Sequence, residues 1–121
     1  MEEKVLFIET FRTRTRQIAI RCIRLVQDMP RTEEASVLKK QLVRSVSSCA
    51  ANYRAACRAR SRAEFYAKLS ITIEEADETL FWLELMEESA ICISADLKTL
   101  EQEITEIIKV LSKARKTLSN N

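Results

Sequence analysis

Apolar residues recur along this chain at alternating steps of three and four, in four separate runs. In the first, Ile8, Phe11, Thr15, Ile18, Cys22, Leu25 and Met29 fall on one line. That is the period of an α-helix with a single buried face. Met29-Pro30 closes the run, because a residue before proline avoids the α region. The second run is Ala35, Leu38, Leu42, Val46, Cys49, Tyr53 and Ala56. Thr32 stands where an N-cap is needed, and Glu33 and Glu34 suit the positive end of a helix. The third run, Phe65, Leu69, Thr72, Ala76, Leu80 and Leu83, opens with Ser61-Arg-Ala-Glu64, a capping box. The fourth, Leu97, Leu100, Ile104, Ile107, Leu111, Ala114 and Leu118, keeps an a/d heptad behind a Ser94 cap. The expected helices are about 3–28, 33–59, 62–89 and 95–118, in a single domain over residues 1–121. Four long amphipathic helices with short connections predict an all-α, antiparallel up-down-up-down four-helix bundle.

Composition narrows the chemistry. The chain has no glycine and one proline, Pro30. A phosphate loop or a dinucleotide-binding turn needs glycine where the backbone must take positive φ or approach a ligand closely. There is also no histidine, which removes the commonest general base and metal ligand. Bundle enzymes with two metal ions use Glu-x-x-His pairs, and this chain can supply none. Cys22, Cys49, Cys57 and Cys92 follow no metal-binding spacing. They read as reduced, small, mostly buried residues of a cytoplasmic protein. The start, Met1-Glu-Glu-Lys, lacks a signal-peptide pattern, and no apolar run approaches the roughly 18 residues of a membrane span. The carboxylate pairs Glu74/Glu78 and Glu84/Glu88 read as a solvated acidic face. No catalytic residue, metal or cofactor is expected, and the chain is read as a non-enzyme with no membrane partner.

Charge changes the picture more. The net charge is only +2, yet residues 31–62 carry eight basic and two acidic groups, and residues 63–95 carry one basic and eight acidic. On a helical wheel, Lys40, Arg44, Ser47, Ala51, Arg54 and Arg58 form one outward stripe of helix two. Arg60 and Arg62 carry positive charge around the next corner, and Arg12 and Arg16 share a flank of helix one. Arg14 points elsewhere, toward the side of Arg21 and Arg24. Such cations with small residues between them can follow a phosphate backbone. They can equally be solvated faces, or partners for the acidic third helix in the same chain or another. The outward side of helix three carries Ile71, Trp82 and Leu85, with Phe81 nearby, and helix one adds Ile20 and Ile23. Apolar groups opposite a core predict an interface between copies of the chain. Asn52 lies beside the inner stripe of helix two, where a buried amide would set bundle register.

The corner between helices two and three reads Ser48-Cys-Ala-Ala-Asn52-Tyr-Arg-Ala-Ala-Cys-Arg58-Ala-Arg60-Ser61-Arg-Ala-Glu64-Phe65, followed by Glu74-Glu-Ala-Asp-Glu-Thr-Leu-Phe-Trp-Leu-Glu84-Leu. Over roughly residues 8–118 the chain resembles the 23S rRNA-intervening sequence protein family, bacterial four-helix bundles. Asn52, Arg58, Arg60, Ser61, Glu64 and Phe65 match that family's corner signature, and Phe81-Trp82-Leu83-Glu84 is typical of one branch. Many members have a glycine near the positions of Cys57 and Ala59. The resemblance implies assembly into ring-like homopentamers. It also implies kinship with the accessory proteins of diversity-generating retroelements, which have a basic surface and bind nucleic acid beside a reverse transcriptase. Arg60, Ser61 and Glu64 also build the helix corner, so that motif is read as structural first.

Two functions remain open. In one, the bundle binds RNA or DNA through Lys40, Arg44, Arg54, Arg58, Arg60, Arg62, Arg12 and Arg16, beside a reverse transcriptase or a ribosomal component. In the other, it is a purely structural assembly or interaction module whose basic faces meet acidic helix three of a neighbour.

Overall fold

The computed structural model describes residues 2–119. Within them run four helices: α1 Glu2–Gln27, α2 Glu33–Cys57, α3 Arg62–Glu88 and α4 Ala95–Ser119. Each lies against the neighbours that chain order supplies, α2 on α3 most closely and α1 on α4 least, with no diagonal packing among the described residues. This is the antiparallel bundle that the apolar periodicity predicts.

The ends form where the sequence places side-chain acceptors. The Thr32 hydroxyl accepts from the Ala35 amide at 3.2 Å, Ser61 from Glu64 at 3.0 Å and Ser94 from Leu97 at 3.1 Å. Each satisfies an amide that the helix itself leaves unpaired, worth about 1 kcal/mol. α2 stops at Cys57, two residues short of the expected end. There the amides of Arg58 and Ala59 turn back to the Ala55 and Ala56 carbonyls at 3.1 Å each. The α3–α4 connection needs one left-handed residue, and without glycine Ala90 takes it, at φ 61°. A Cβ in that region costs roughly 1–2 kcal/mol.

The core follows the predicted stripes. Ile18, Cys22, Leu42, Val46, Cys49, Tyr53, Leu69, Leu83, Leu97, Leu100, Ile104, Ile107 and Leu111 are buried together. Full burial of one large aliphatic side chain is worth about 1.5–3 kcal/mol, so these residues supply most of the cohesion. α3 departs from expectation by burying a second line, Ile73, Thr79 and Met86. The reason is its position: of the four helices it makes the most extensive contacts with its two neighbours, α2 and α4, which widens its inner face beyond one stripe. Phe65 and Leu80 sit at the edge of that face, half-buried.

The expectation for Asn52 is corrected. Its amide donates to the Ser48 carbonyl at 2.9 Å and to the Ser48 hydroxyl at 3.1 Å, one turn back on the same helix. A bond within one helix cannot fix the register between two. The buried polar pair that does cross helices is Ser45 on α2 with Thr79 on α3, whose oxygens lie 3.0 Å apart.

Candidate functional site

The candidate site lies on the seam between α1 and α2. Tyr53 is 1% exposed, and its hydroxyl donates to the Ile8 carbonyl across the seam at 3.2 Å. That contact sets the two helices side by side near the end of the bundle that carries the α2–α3 corner. Beside it the facing positions are small. Thr13 on α1 and Ala50 and Ala51 on α2 leave a cleft of about 400 Å³, walled by Arg12, Arg16, Arg54 and Arg58. The arginines stand one turn apart on each helix, about 6 Å along the axis.

Their partners decide what these cations can do. Arg16, Arg54 and Arg58 make no ion pair among the described residues. Arg12 reaches Glu9, one turn back, at 3.0 Å, with both side chains about half exposed. An exposed pair of that kind is worth about 0–1 kcal/mol and exchanges readily for another anion. Cys57 lies beside Arg12. Burial pushes its thiol up, against the pull of the guanidinium, so it adds no negative charge at neutral pH. The result is a short trench with cationic banks, a small-residue floor and one exposed glutamate at its mouth.

The other predicted cations go elsewhere. Arg44 binds Glu78 and, at 3.2 Å, Glu75, both on α3. Its hydrogen bond is the main reason that the Glu78 carboxyl titrates below the usual range, helped by the Trp82 indole donating at 3.2 Å. Arg44 is therefore consumed within the chain. Lys40 is exposed one turn further along α2, away from the trench. Arg60 and Arg62 are exposed at the corner, and Arg62 donates to the Leu118 carbonyl at 3.1 Å. On α1, Arg14 stacks over the Phe11 ring at 5.0 Å and binds Glu103 at 2.9 Å and Glu106 at 3.2 Å, both on α4. Of the eight predicted contact residues, the structure brings four together, Arg12, Arg16, Arg54 and Arg58, and keeps Lys40, Arg44, Arg60 and Arg62 apart from them. Thr13 and Ala50 complete the lining and were missed. Their signal was size, since small residues facing each other on antiparallel helices leave room.

The apolar face of α3 is only partly as expected. Ile71, Phe81 and Leu85 are exposed, and so is Ile23 on α1. Trp82 is corrected: it is half-buried and packs against the core, and its indole is tied to Glu78. Ile20 is also half-buried. Exposed apolar side chains that sequence reasoning missed are Val5 and Leu6 on α1, Val37 on α2 and Ile93 in the α3–α4 connection. At the corner, Ser61 caps α3 through the Glu64 amide, and Phe65 packs at the core edge, whereas Asn52 bonds within α2.

A larger cleft, about 520 Å³, lies at the opposite end of the bundle. It mixes Arg21 and Arg24 with Asp28 and Asp96, so it presents no field of one sign. Charge uniformity, not volume, singles out the trench. Among the described residues, no three or more Cys, Asp or Glu come together as a metal site. Nor, among the described residues, is any helix long and apolar enough to cross a membrane.

Comparison with known proteins points the same way as the corner signature. The sequence model for "23S rRNA-intervening sequence protein" matches residues 10–113. A crystal structure of a protein of unknown function from the S23 ribosomal protein family of Bacteroides thetaiotaomicron superposes with a TM-score of 0.82 at 32% identity. The match covers 90% of this chain and 97% of that one. Comparison with curated proteins finds no match.

Proposed function

This chain belongs to the 23S rRNA-intervening sequence protein family, and from that premise we propose that it binds RNA or DNA phosphates along the α1–α2 trench. It acts in the bacterial cytoplasm as a non-enzymatic accessory protein, beside a reverse transcriptase or a ribosomal component. One observation carries the reading: four arginines from two helices converge over a small-residue floor, and three of them have no carboxylate partner among the described residues. Binding is driven by charge and reads bases poorly, because no aromatic side chain lines the trench for stacking. The working form is a homo-oligomer, a pentamer by the family resemblance, joined through Ile71, Phe81 and Leu85 on α3 and Ile23 on α1.

A second reading is favoured by the acidic side of α3. Glu74, Asp77, Glu84 and Glu88 are exposed and make no ion pair among the described residues. In that reading they dock in the trench of a neighbouring copy, and the assembly is purely structural. Binding of labelled RNA and DNA at about 50 mM salt, with the mass of the assembly measured in parallel, separates the two. The double variant Arg54→Glu, Arg58→Glu is expected to lose nucleic acid with the assembly intact. No binding by the parent protein at that salt, or an assembly that falls apart in the variant with no effect on nucleic acid, would overturn the first reading.

A further inference from the structure

The cations that flank the trench are as informative as those inside it. On the α2 side, the next arginine along the outward stripe is Arg44, and Glu75 and Glu78 of α3 occupy it. On the α1 side the corresponding arginine is Arg14, and Glu103 and Glu106 of α4 occupy it. Arg44 and Arg14 are thus neutralised within the chain, whereas the four trench arginines share a single exposed carboxylate, that of Glu9. Neighbouring helix axes in a bundle lie about 8–10 Å apart, and each bank repeats its arginine after about 6 Å. Those dimensions suit neighbouring phosphates of one backbone running along the seam. A duplex is different. It is convex, and its two phosphate rows stand about 12 Å apart across the major groove or 6 Å across the minor. A single cleft between two helices can seat one row and not both.

We infer that the trench takes the sugar–phosphate backbone of a single strand, two to four phosphates at a time, in preference to a duplex. The inference rests on the nucleic-acid reading above and narrows it. Arg16, Arg54 and Arg58 contact phosphates directly. Arg12 joins them by exchanging Glu9 for phosphate, a swap that leaves the number of ion pairs unchanged. The bases face outward, since the floor of Thr13, Ala50 and Ala51 has no ring to stack on and Tyr53 is buried.

The test is fluorescence anisotropy with the full chain and labelled oligonucleotides of about 12 nucleotides, as a single strand and as a duplex of the same sequence. The single strand is expected to bind at least about tenfold more tightly at about 50 mM salt. Shortening it to about four nucleotides is expected to cost less than about tenfold, because the site is short. Arg16→Ala or Arg54→Ala weakens the single strand about five- to tenfold, while Arg44→Ala changes it less than about twofold. Thermal melts of each variant show that the bundle is intact. Equal or tighter duplex binding, weakened by the same trench variants, overturns the single-strand inference and leaves the nucleic-acid reading standing. Failure of both forms to bind overturns both.

Discussion

Helix α2 faces two neighbours, and its two seams spend the same residue type differently. Toward α3, Arg44 is held by Glu75 and Glu78, and beneath it Ser45 and Thr79 share a buried hydrogen bond. Toward α1, Arg54 and Arg58 meet Arg12 and Arg16 across a cleft whose one nearby carboxylate, Glu9, is exposed and pairs with Arg12. The first seam satisfies its polar groups internally. The second leaves like charges facing each other over small residues, which lowers stability unless an anion enters. A stripe that is uniform on the helical wheel is therefore divided in its pairing by what each neighbour presents.

The comparison can be broken most severely at Tyr53, which roots the trench. Tyr53→Ala removes a buried aromatic and its bond to the Ile8 carbonyl. The expected loss in urea unfolding is about 3–5 kcal/mol. On the α2–α3 side, Thr79→Val leaves the Ser45 oxygen without its cross-helix partner and is expected to cost about 1–3 kcal/mol in the same measurement. A smaller effect appears with alkali. Burial pushes the thiols of Cys22 on α1 and Cys49 on α2 up to about 12, from 9.0. A raised pKa in the folded state means stability that is complete below about pH 9 and lost as pH rises toward 12. Melting temperature is expected to hold steady to about pH 8 and then fall, and Cys22→Ala with Cys49→Ala should flatten that fall. The mildest change is Arg44→Ala, which removes an exposed pair and should lower stability by about 0–1 kcal/mol. It also frees Glu78 from Arg44, which shifts the emission of the Trp82 indole that Glu78 holds.

The fold was largely legible because helices declare themselves by spacing. The caps at Thr32, Ser61 and Ser94 appear as read, and so do the central positions of the α1, α2 and α4 stripes, with Ile8, Leu25, Leu38, Ala114 and Leu118 half-buried. α3 was harder, because the helix with the most extensive neighbour contacts buries Ile73 and Met86 off its main line. The site was half legible. A wheel shows that Arg44 and Arg54 point outward, and both are exposed, but it carries no information about which helix lies alongside. Arg44 lost its freedom to Glu75 and Glu78, thirty-one and thirty-four positions away, and Arg14 to glutamates of α4. Trp82 was misplaced for the same reason: the wheel puts it outward, whereas its large ring folds back against the core edge and its indole finds Glu78. Tertiary neighbours, not local pattern, decide which outward residues are available.

The most direct test of the divided stripe is the slope of log affinity for a single strand against log salt. With two to four phosphates neutralised, the expected slope is about −1.5 to −3. It should become shallower by about 0.7 in Arg54→Ala and stay unchanged in Arg44→Ala. A slope near zero, or an equal change in the two variants, would contradict the claim that the α1–α2 trench keeps its arginines free for phosphate while Arg44 is held by α3.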